Sequence, residues 1–242
     1  MSFTPFTKQQ LIPQEEKLEV ARKKSDLFIG IPKESSFQER RICLTPDAVN
    51  TLTSHGHRIL IEAGAGESSS YSDQEYSNAG AEITQDTKKV FNCPMVLKVE
   101  PLTLPEIEMM NSNSLVISAL QIKTRKKEYF EALARKKITA LAFEFIKDDD
   151  GSYPAVKSLS EIAGTGSILI AAELMINNQF GKGLLFGNIT GVPPTEVVII
   201  GAGTVAEFAA RTAIGLGASV KVFDNSITKL RRLQNNLNQR IF

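Results

Sequence analysis

The residues with the clearest chemical purpose are three small ones in a fixed rhythm. Gly201, Gly203 and Ala206 hold the small positions of a G-x-G-x-x-A loop, Gly201-Ala202-Gly203-Thr204-Val205-Ala206. The apolar run Thr195 to Ile200 precedes this loop, and a helical period from Val205 to Leu216 follows it. A strand, a glycine turn and a helix in that order form a cradle for the pyrophosphate of a dinucleotide. Gly201 permits the tight turn. Gly203 lets backbone N–H groups approach the phosphates at the positive end of the helix, an attraction worth about 1 kcal/mol. Ala206 allows close contact between helix and strand. Past Gly217, a second strand-like run from Ser219 to Phe223 ends on Asp224, 21 residues after Gly203. A carboxylate there accepts hydrogen bonds from an adenosine ribose diol and repels a 2′-phosphate. Asn225, not an arginine, follows Asp224, so the pattern favours NAD over NADP, with Lys229 one helical turn away. The plainer reading is a glycine-rich turn in an unrelated α/β protein. The ordered series of strand, turn, helix, strand and acid speaks against it.

Other reactive side chains are few. Cys43 and Cys93 have neither metal-ligand spacing nor partners for a disulfide framework, and read as small buried hydrophobes in a reducing compartment. His55 and His57, the only histidines, flank Gly56 at a predicted helix end and read as structural. No metal site is expected.

The elements that must position these residues alternate between short apolar runs and helical periods, the pattern of a parallel sheet with crossover helices. Leu27 to Pro32 is the first strand. Thr45-Pro46-Asp47 opens a helix, with Thr45 as N-cap and Pro46 at the first helical position. That helix ends at Gly56, and Arg58 to Glu62 is the next strand. After the turn Ala63 to Gly66, Ser72-Asp73-Gln74-Glu75 is a capping box whose helix closes at Gly80. Further strands are predicted at Met95 to Val99, Leu115 to Leu120 and Ile138 to Phe145, with an amphipathic helix from Lys126 to Lys137. Ser158-Leu159-Ser160-Glu161 reads as a second capping box, opening a long buried helix that runs to Asn178 and is ended by Gly181-Lys182-Gly183. Before all of this, Gln14 to Lys24 reads as an extra helix within a polar extension.

Composition sets the outer bounds. The chain has 242 residues, 42% of them hydrophobic, and 28 Lys and Arg against 27 Asp and Glu. At ~150 residues per domain this is one large domain or two modest ones. A net charge of +1 lacks the basic excess of a nucleic-acid binder. Asn225 to Phe242 carries four cations and no acid, and reads as a solvated helix face rather than a nucleic-acid arm. No uninterrupted apolar run reaches the ~18 residues of a spanning helix, and no secretory signal opens the chain, so a soluble cytoplasmic protein is expected.

Several stretches together resemble a known family. They are Gly30-Ile31-Pro32-Lys33-Glu34, Arg41 to Pro46, Glu62 to Glu67, Leu97-Lys98-Val99, Ser160 to Gly164 and Val198 to Thr204. In these the chain resembles the alanine dehydrogenase and nicotinamide nucleotide transhydrogenase α-subunit group, and alanine dehydrogenases most. The resemblance implies an α/β protein of two Rossmann-like three-layer domains with mainly parallel sheets and the active site between them. On this division residues 1–26 are an extension, 27–157 a substrate domain, 158–194 a hinge helix and linker, and 195–242 the first part of an NAD domain. A dinucleotide-binding sheet normally has about six strands in ~150 residues, so the resemblance implies a chain of roughly 400 residues, with Arg240 to Phe242 entering a third strand.

Carried over position by position, Arg41 matches an arginine that grips the substrate carboxylate, a task suited to a permanently charged bidentate fork. Lys98 stands at a strand end facing the cleft, where it would polarise a 2-oxo group. The compared dehydrogenases have a second lysine two positions later, where this chain reads Glu100-Pro101. They also place an acid/base histidine where this chain has Gln121. Glutamine can hydrogen-bond a substrate oxygen but cannot shuttle a proton near neutral pH. Ser160, Gly201, Gly203, Thr204, Val205, Asp224 and Lys229 match NAD contacts. The implied activity is NAD-dependent oxidative deamination of L-alanine by a homo-oligomer. The change at Gln121 keeps open a soluble NAD(H)-binding component of a proton-translocating transhydrogenase, and a non-catalytic NAD sensor.

Overall fold

A computed structural model describes residues 26–237 apart from 178 and 180. The expected helix from Gln14 to Lys24 and the expected third strand at Arg240 to Phe242 lie outside the described residues.

Six strands, β1 (Phe28–Ile31), β2 (Arg58–Glu62), β3 (Glu82–Thr84), β4 (Met95–Leu97), β5 (Leu115–Ser118) and β6 (Thr139–Ala142), form one sheet in the order β3-β2-β1-β4-β5-β6. Every neighbouring pair is parallel. Parallel strands need crossovers, which cover both faces and make the strands apolar throughout. In β2, Ile59 and Ile61 pack with Val49 and Tyr76 on one face, while Leu60 packs with Val90 and Cys93 on the other. The chain fills one side of β1 and then jumps to the other, so the order reverses between β1 and β4. In open α/β sheets such a reversal leaves a crevice beyond the carboxyl ends of the strands.

The crossovers are α1 (Pro46–Ser54), α2 (Asp73–Asn78), α3 (Thr87–Phe91), α4 (Leu104–Met109) and α5 (Lys127–Arg135). The caps at Thr45 and at Ser72 with Glu75 form as expected. The sequence reading passed over β3, α3 and α4, each only three to six residues long. Gly30 has a packing role: a Cβ there would stand 2.3 Å from the Val90 carbonyl oxygen, so the end of α3 can rest directly on β1. Several strands are shorter than predicted, among them β1, which spans Phe28–Ile31, and β5, which stops at Ser118. The run from Met95 is a strand only to Leu97, and that from Ile138 gives way after Ala142 to a tight turn at Phe143–Phe145.

The long helix α6 (Pro154–Ile176) departs from expectation in three ways. It starts at Pro154, so Ser158 and Ser160 lie inside it and form no capping box; the Ser158 hydroxyl instead donates to the Pro154 carbonyl. A proline at the first helical turn sets the start, because its missing N–H has no intrahelical acceptor there anyway. The helix ends at Ile176, ahead of the glycines at 181 and 183. It is also largely exposed, burying only Gly164 and Ile168. Among the described residues it is the one helix long and apolar enough to cross a membrane by length and composition, with a mean hydropathy of 1.5. No uninterrupted apolar run marks this helix in the sequence, because glycine, serine and threonine between the aliphatic residues dilute hydropathy without cancelling it.

Beyond α6, β7 (Glu196–Ile200) and β8 (Ser219–Phe223) pair in parallel, with α7 (Thr204–Gly215) between them and α8 (Ile227–Leu237) after them. α6 packs on α7 at Gly164, where a Cβ would sit 2.4 Å from the Val205 carbonyl oxygen. Exposed and half-buried residues alternate along β7, whose one partner strand among the described residues is β8.

Candidate functional site

Of the cavities beside α6, two hold expected site residues. The first, about 280 Å³, lies beyond the carboxyl ends of β1 and β4 at the strand-order reversal, and Arg41, Cys43, Leu97, Lys98 and Phe143 line it together with Leu159 of α6. The second, about 480 Å³, lies over β7 and the glycine loop and includes Ser160, the next residue of α6. One turn of helix thus borders both.

In the first cavity the cations are tied to acids brought from distant sequence. Glu34, just past β1, accepts from the Lys98 ammonium at 2.7 Å and from the Val99 backbone N–H at 2.6 Å. Glu106, which also closes the capping box of α4 with Thr103, stands 3.8 Å from the same ammonium. The Lys98 side chain has no exposed surface. Lys98 borders the cavity, and its ammonium is enclosed and turned to Glu34. Arg41 is different: 49% of its side chain is exposed. Its guanidinium grips Glu39 through Nε and Nη2, at 2.9 and 2.5 Å. That contact holds the Glu39 carboxyl at about 2, well below its usual range, and raises Arg41 further. Burial pushes the Cys43 thiol up to about 12, so it stays protonated and unreactive at neutral pH.

Gln121 is not among the residues lining the cavity that holds Arg41 and Lys98. It is exposed, at a backbone φ of 49°, and its amide oxygen accepts from Arg125. Glu144 fixes this turn by accepting from the Leu120 and Gln121 N–H groups through one oxygen, both at 2.8 Å. Its other carboxylate oxygen is buried without a partner among the described residues. The histidines are structural in geometry: His55 caps the end of α1, and His57 Nδ1 accepts from the Leu27 N–H.

The second cavity brings Ser160, Gly201, Gly203, Thr204 and Val205 together. Gly201 has φ 106°, a conformation that glycine adopts freely. Gly203 is the N-cap of α7 and has no side chain to cap it, so the first-turn N–H groups keep their capacity for an anion. A Cβ at Gly203 would meet nothing within 4 Å, so the space above the loop is open. The donor set and the open space fit a pyrophosphate. Asp224 latches the loop: one carboxylate oxygen accepts from the Ala202 N–H and the other from the Ser226 N–H, each at 2.7 Å. These bonds, to Ser226 first, hold its pKa below the ordinary value. Lys229 lies in the first turn of α8.

Family models now give this arrangement relatives. The model described as "Alanine dehydrogenase/PNT, N-terminal domain" matches residues 30–163, and its C-terminal partner matches residues 167–242. The chain belongs to the alanine dehydrogenase/PNT family. An alanine dehydrogenase of Mycolicibacterium smegmatis is 38% identical over 216 residues, covering 89% of this chain and 58% of the relative. A solved L-alanine dehydrogenase superposes with a TM-score of 0.80 at 36% identity, covering 89% of this chain and 59% of that one. A transhydrogenase from Sinorhizobium meliloti superposes with a TM-score of 0.75 at 27% identity, covering 89% of this chain and 64% of that one. The chain thus spans about three fifths of the length of its relatives.

Within this family fold, the sequence marks Arg41 and the glycine loop with Asp224, but not the acids that hold Arg41 and Lys98. Glu34 and Glu39 sit within or beside the motifs that carried the resemblance, and Glu106 announces itself as the fourth residue of Thr103-Leu104-Pro105-Glu106, a capping-box pattern. Nothing local marks Glu144.

Proposed function

We propose that this chain serves NAD-dependent oxidative deamination of L-alanine to pyruvate and ammonia, with the amino acid in the Arg41 cavity and NAD over the glycine loop. The observation that carries this reading is that one turn of α6 borders both cavities, with Leu159 lining one and Ser160 the other. On this reading Gly201, Gly203, Thr204 and Val205 hold the pyrophosphate, Asp224 and Lys229 the adenosine ribose, and Ser160 faces them from α6. The bound dinucleotide supplies the two-electron oxidation. Arg41 grips the substrate carboxylate and fixes the direction of the Cα hydrogen, an orientation effect that lowers the barrier without any chemistry by the protein. Lys98, through Glu34, stiffens the end of β4 beneath the substrate. Gln121 can donate or accept a hydrogen bond but takes no proton. Assembly as a cytoplasmic homo-oligomer belongs to the same reading.

The deciding experiment is NAD reduction with L-alanine and with a panel of other L-amino acids. Turnover with another amino acid and none with alanine overturns the substrate assignment. Because among the described residues only β7 and β8 form the sheet beside the glycine loop, weak NAD binding and little turnover are expected of the 242 residues alone; tight NAD binding by them would contradict this.

A second reading has its own support. Gln121 carries no titrating group, and the Lys98 ammonium is engaged by Glu34 and Glu106. This suits a transhydrogenase component that binds NAD(H) and performs no amino-acid chemistry. NADH binding with no turnover of any amino acid would favour it.

A further inference from the structure

Glu39 has no role in the reading above, yet its geometry is that of a built contact. Its side chain is only 8% exposed, against 49% for Arg41 two residues on. Both oxygens are engaged. Oε1 accepts from Arg41 Nε and from the Arg41 backbone N–H, and Oε2 accepts from Arg41 Nη2. The preceding residue, Gln38, has φ 68°, a left-handed conformation that residues other than glycine enter at a cost. That turn folds the acid back against the guanidinium. The carboxyl is held at about 2, so the contact persists across all ordinary pH.

A guanidinium has five N–H donors on two usable edges. Glu39 occupies the side-on edge, Nε with Nη2, and Nη1 has no hydrogen-bond partner among the described residues. The remaining edge, Nη1 with the second Nη2 hydrogen, is the end-on fork that also matches a carboxylate. Arg41 borders the first cavity, so this edge is the one available to a ligand.

We propose that Glu39 is a positioning residue that clamps one edge of the Arg41 guanidinium and thereby aims the other at the carboxylate of a compact 2-substituted monocarboxylate in the first cavity. This rests on the reading of Arg41 as the carboxylate-binding group. An unclamped arginine samples many rotamers and must be ordered by the ligand at a cost in affinity; the clamp removes that cost beforehand. A ligand carboxylate also feels the negative charge of Glu39, and the two effects have opposite signs. If repulsion dominates, removing the charge tightens binding. If positioning dominates, removing it weakens binding.

The test is calorimetric titration of the chain with pyruvate, comparing the parent, Glu39→Gln, Arg41→Lys and the double variant, with thermal unfolding followed alongside. Lysine is a point charge with no second edge to aim. The expected result is a roughly tenfold weakening by Glu39→Gln in the arginine background, and less than twofold in the lysine background, with every form still folded at the temperature of the titration. Equal weakening in both backgrounds, or tighter binding in Glu39→Gln, overturns the positioning role while leaving Arg41 as the carboxylate group. Pyruvate binding by the parent that Arg41→Lys does not diminish overturns both, as does no pyruvate binding by any form.

Discussion

Strands β2 and β7 read almost alike as sequence, Arg58-Ile-Leu-Ile-Glu62 against Glu196-Val-Val-Ile-Ile200, yet they end in different surroundings. In β2, Ile59, Leu60 and Ile61 are each 1% exposed or less; in β7, Val198 is 55% exposed and Ile200 is 89% exposed. β2 has a neighbour on each side and apolar clusters on both faces, whereas β7 pairs only with β8 among the described residues. An apolar run states how much burial a strand can use. What covers it decides how much it receives. The substrate-side sheet thus carries its own closed core, while the nucleotide-side sheet joins it through a helix, α6, that is itself mostly exposed.

The largest expected effect lies on the closed side. Lys98→Met should cost about 3–5 kcal/mol, because Glu34 and Glu106 are left as buried acids without their cation. Urea denaturation followed by circular dichroism measures this, and a loss below about 1 kcal/mol would mean that water reaches the pair. Next comes the direct contrast. Ile61→Ala should cost about 3 kcal/mol and Ile200→Ala about 0.5 kcal/mol in the same experiment. Equal losses would break the comparison. On the open side the sharper effect is on ligand: Gly203→Ala should weaken NADH binding about tenfold without shifting the unfolding midpoint, because the added methyl lies in the phosphate's path and touches no protein atom. The smallest effect is one of pH. Folding lowers the Glu39 carboxyl to about 2, so its ion pair stabilises the fold at pH above the ordinary carboxylate range and loses that contribution as pH falls toward 2. The stability gap between the parent and Glu39→Gln should therefore stay level from about pH 5 to 8 and close in acid. A gap that widens in acid would reverse the assignment.

What the sequence disclosed follows the range of the forces involved. Thr45 with Pro46 and Ser72 with Glu75 announce helix starts because a cap is settled within four residues. Arg58–Glu62 and Ser219–Phe223 fall where predicted because their runs are bounded by turns. Ser158-Leu-Ser-Glu161 misled because the pattern it matches needs a free helix start, and Pro154 had already provided one. In the site, Arg41 and the Gly201 loop were legible as motifs. The pairing of Glu34 with Lys98 joins residues 64 apart, and that of Glu144 with Gln121 joins residues 23 apart; only the sheet order brings them together. The enclosure of Lys98 has the same origin. A lysine after a strand reads as reaching outward until the fold supplies two acids at its side.

The turn at Gln121 is held without regard to the side chain it carries. Its left-handed backbone is one that histidine enters more readily than most side chains, and Glu144 holds it through backbone N–H groups that do not depend on which side chain is present. Glutamine and histidine codons differ by one base in the third position. A single mutation would therefore exchange an amide for an imidazole on an unchanged scaffold, in either direction. At this position a titrating side chain is one base change away.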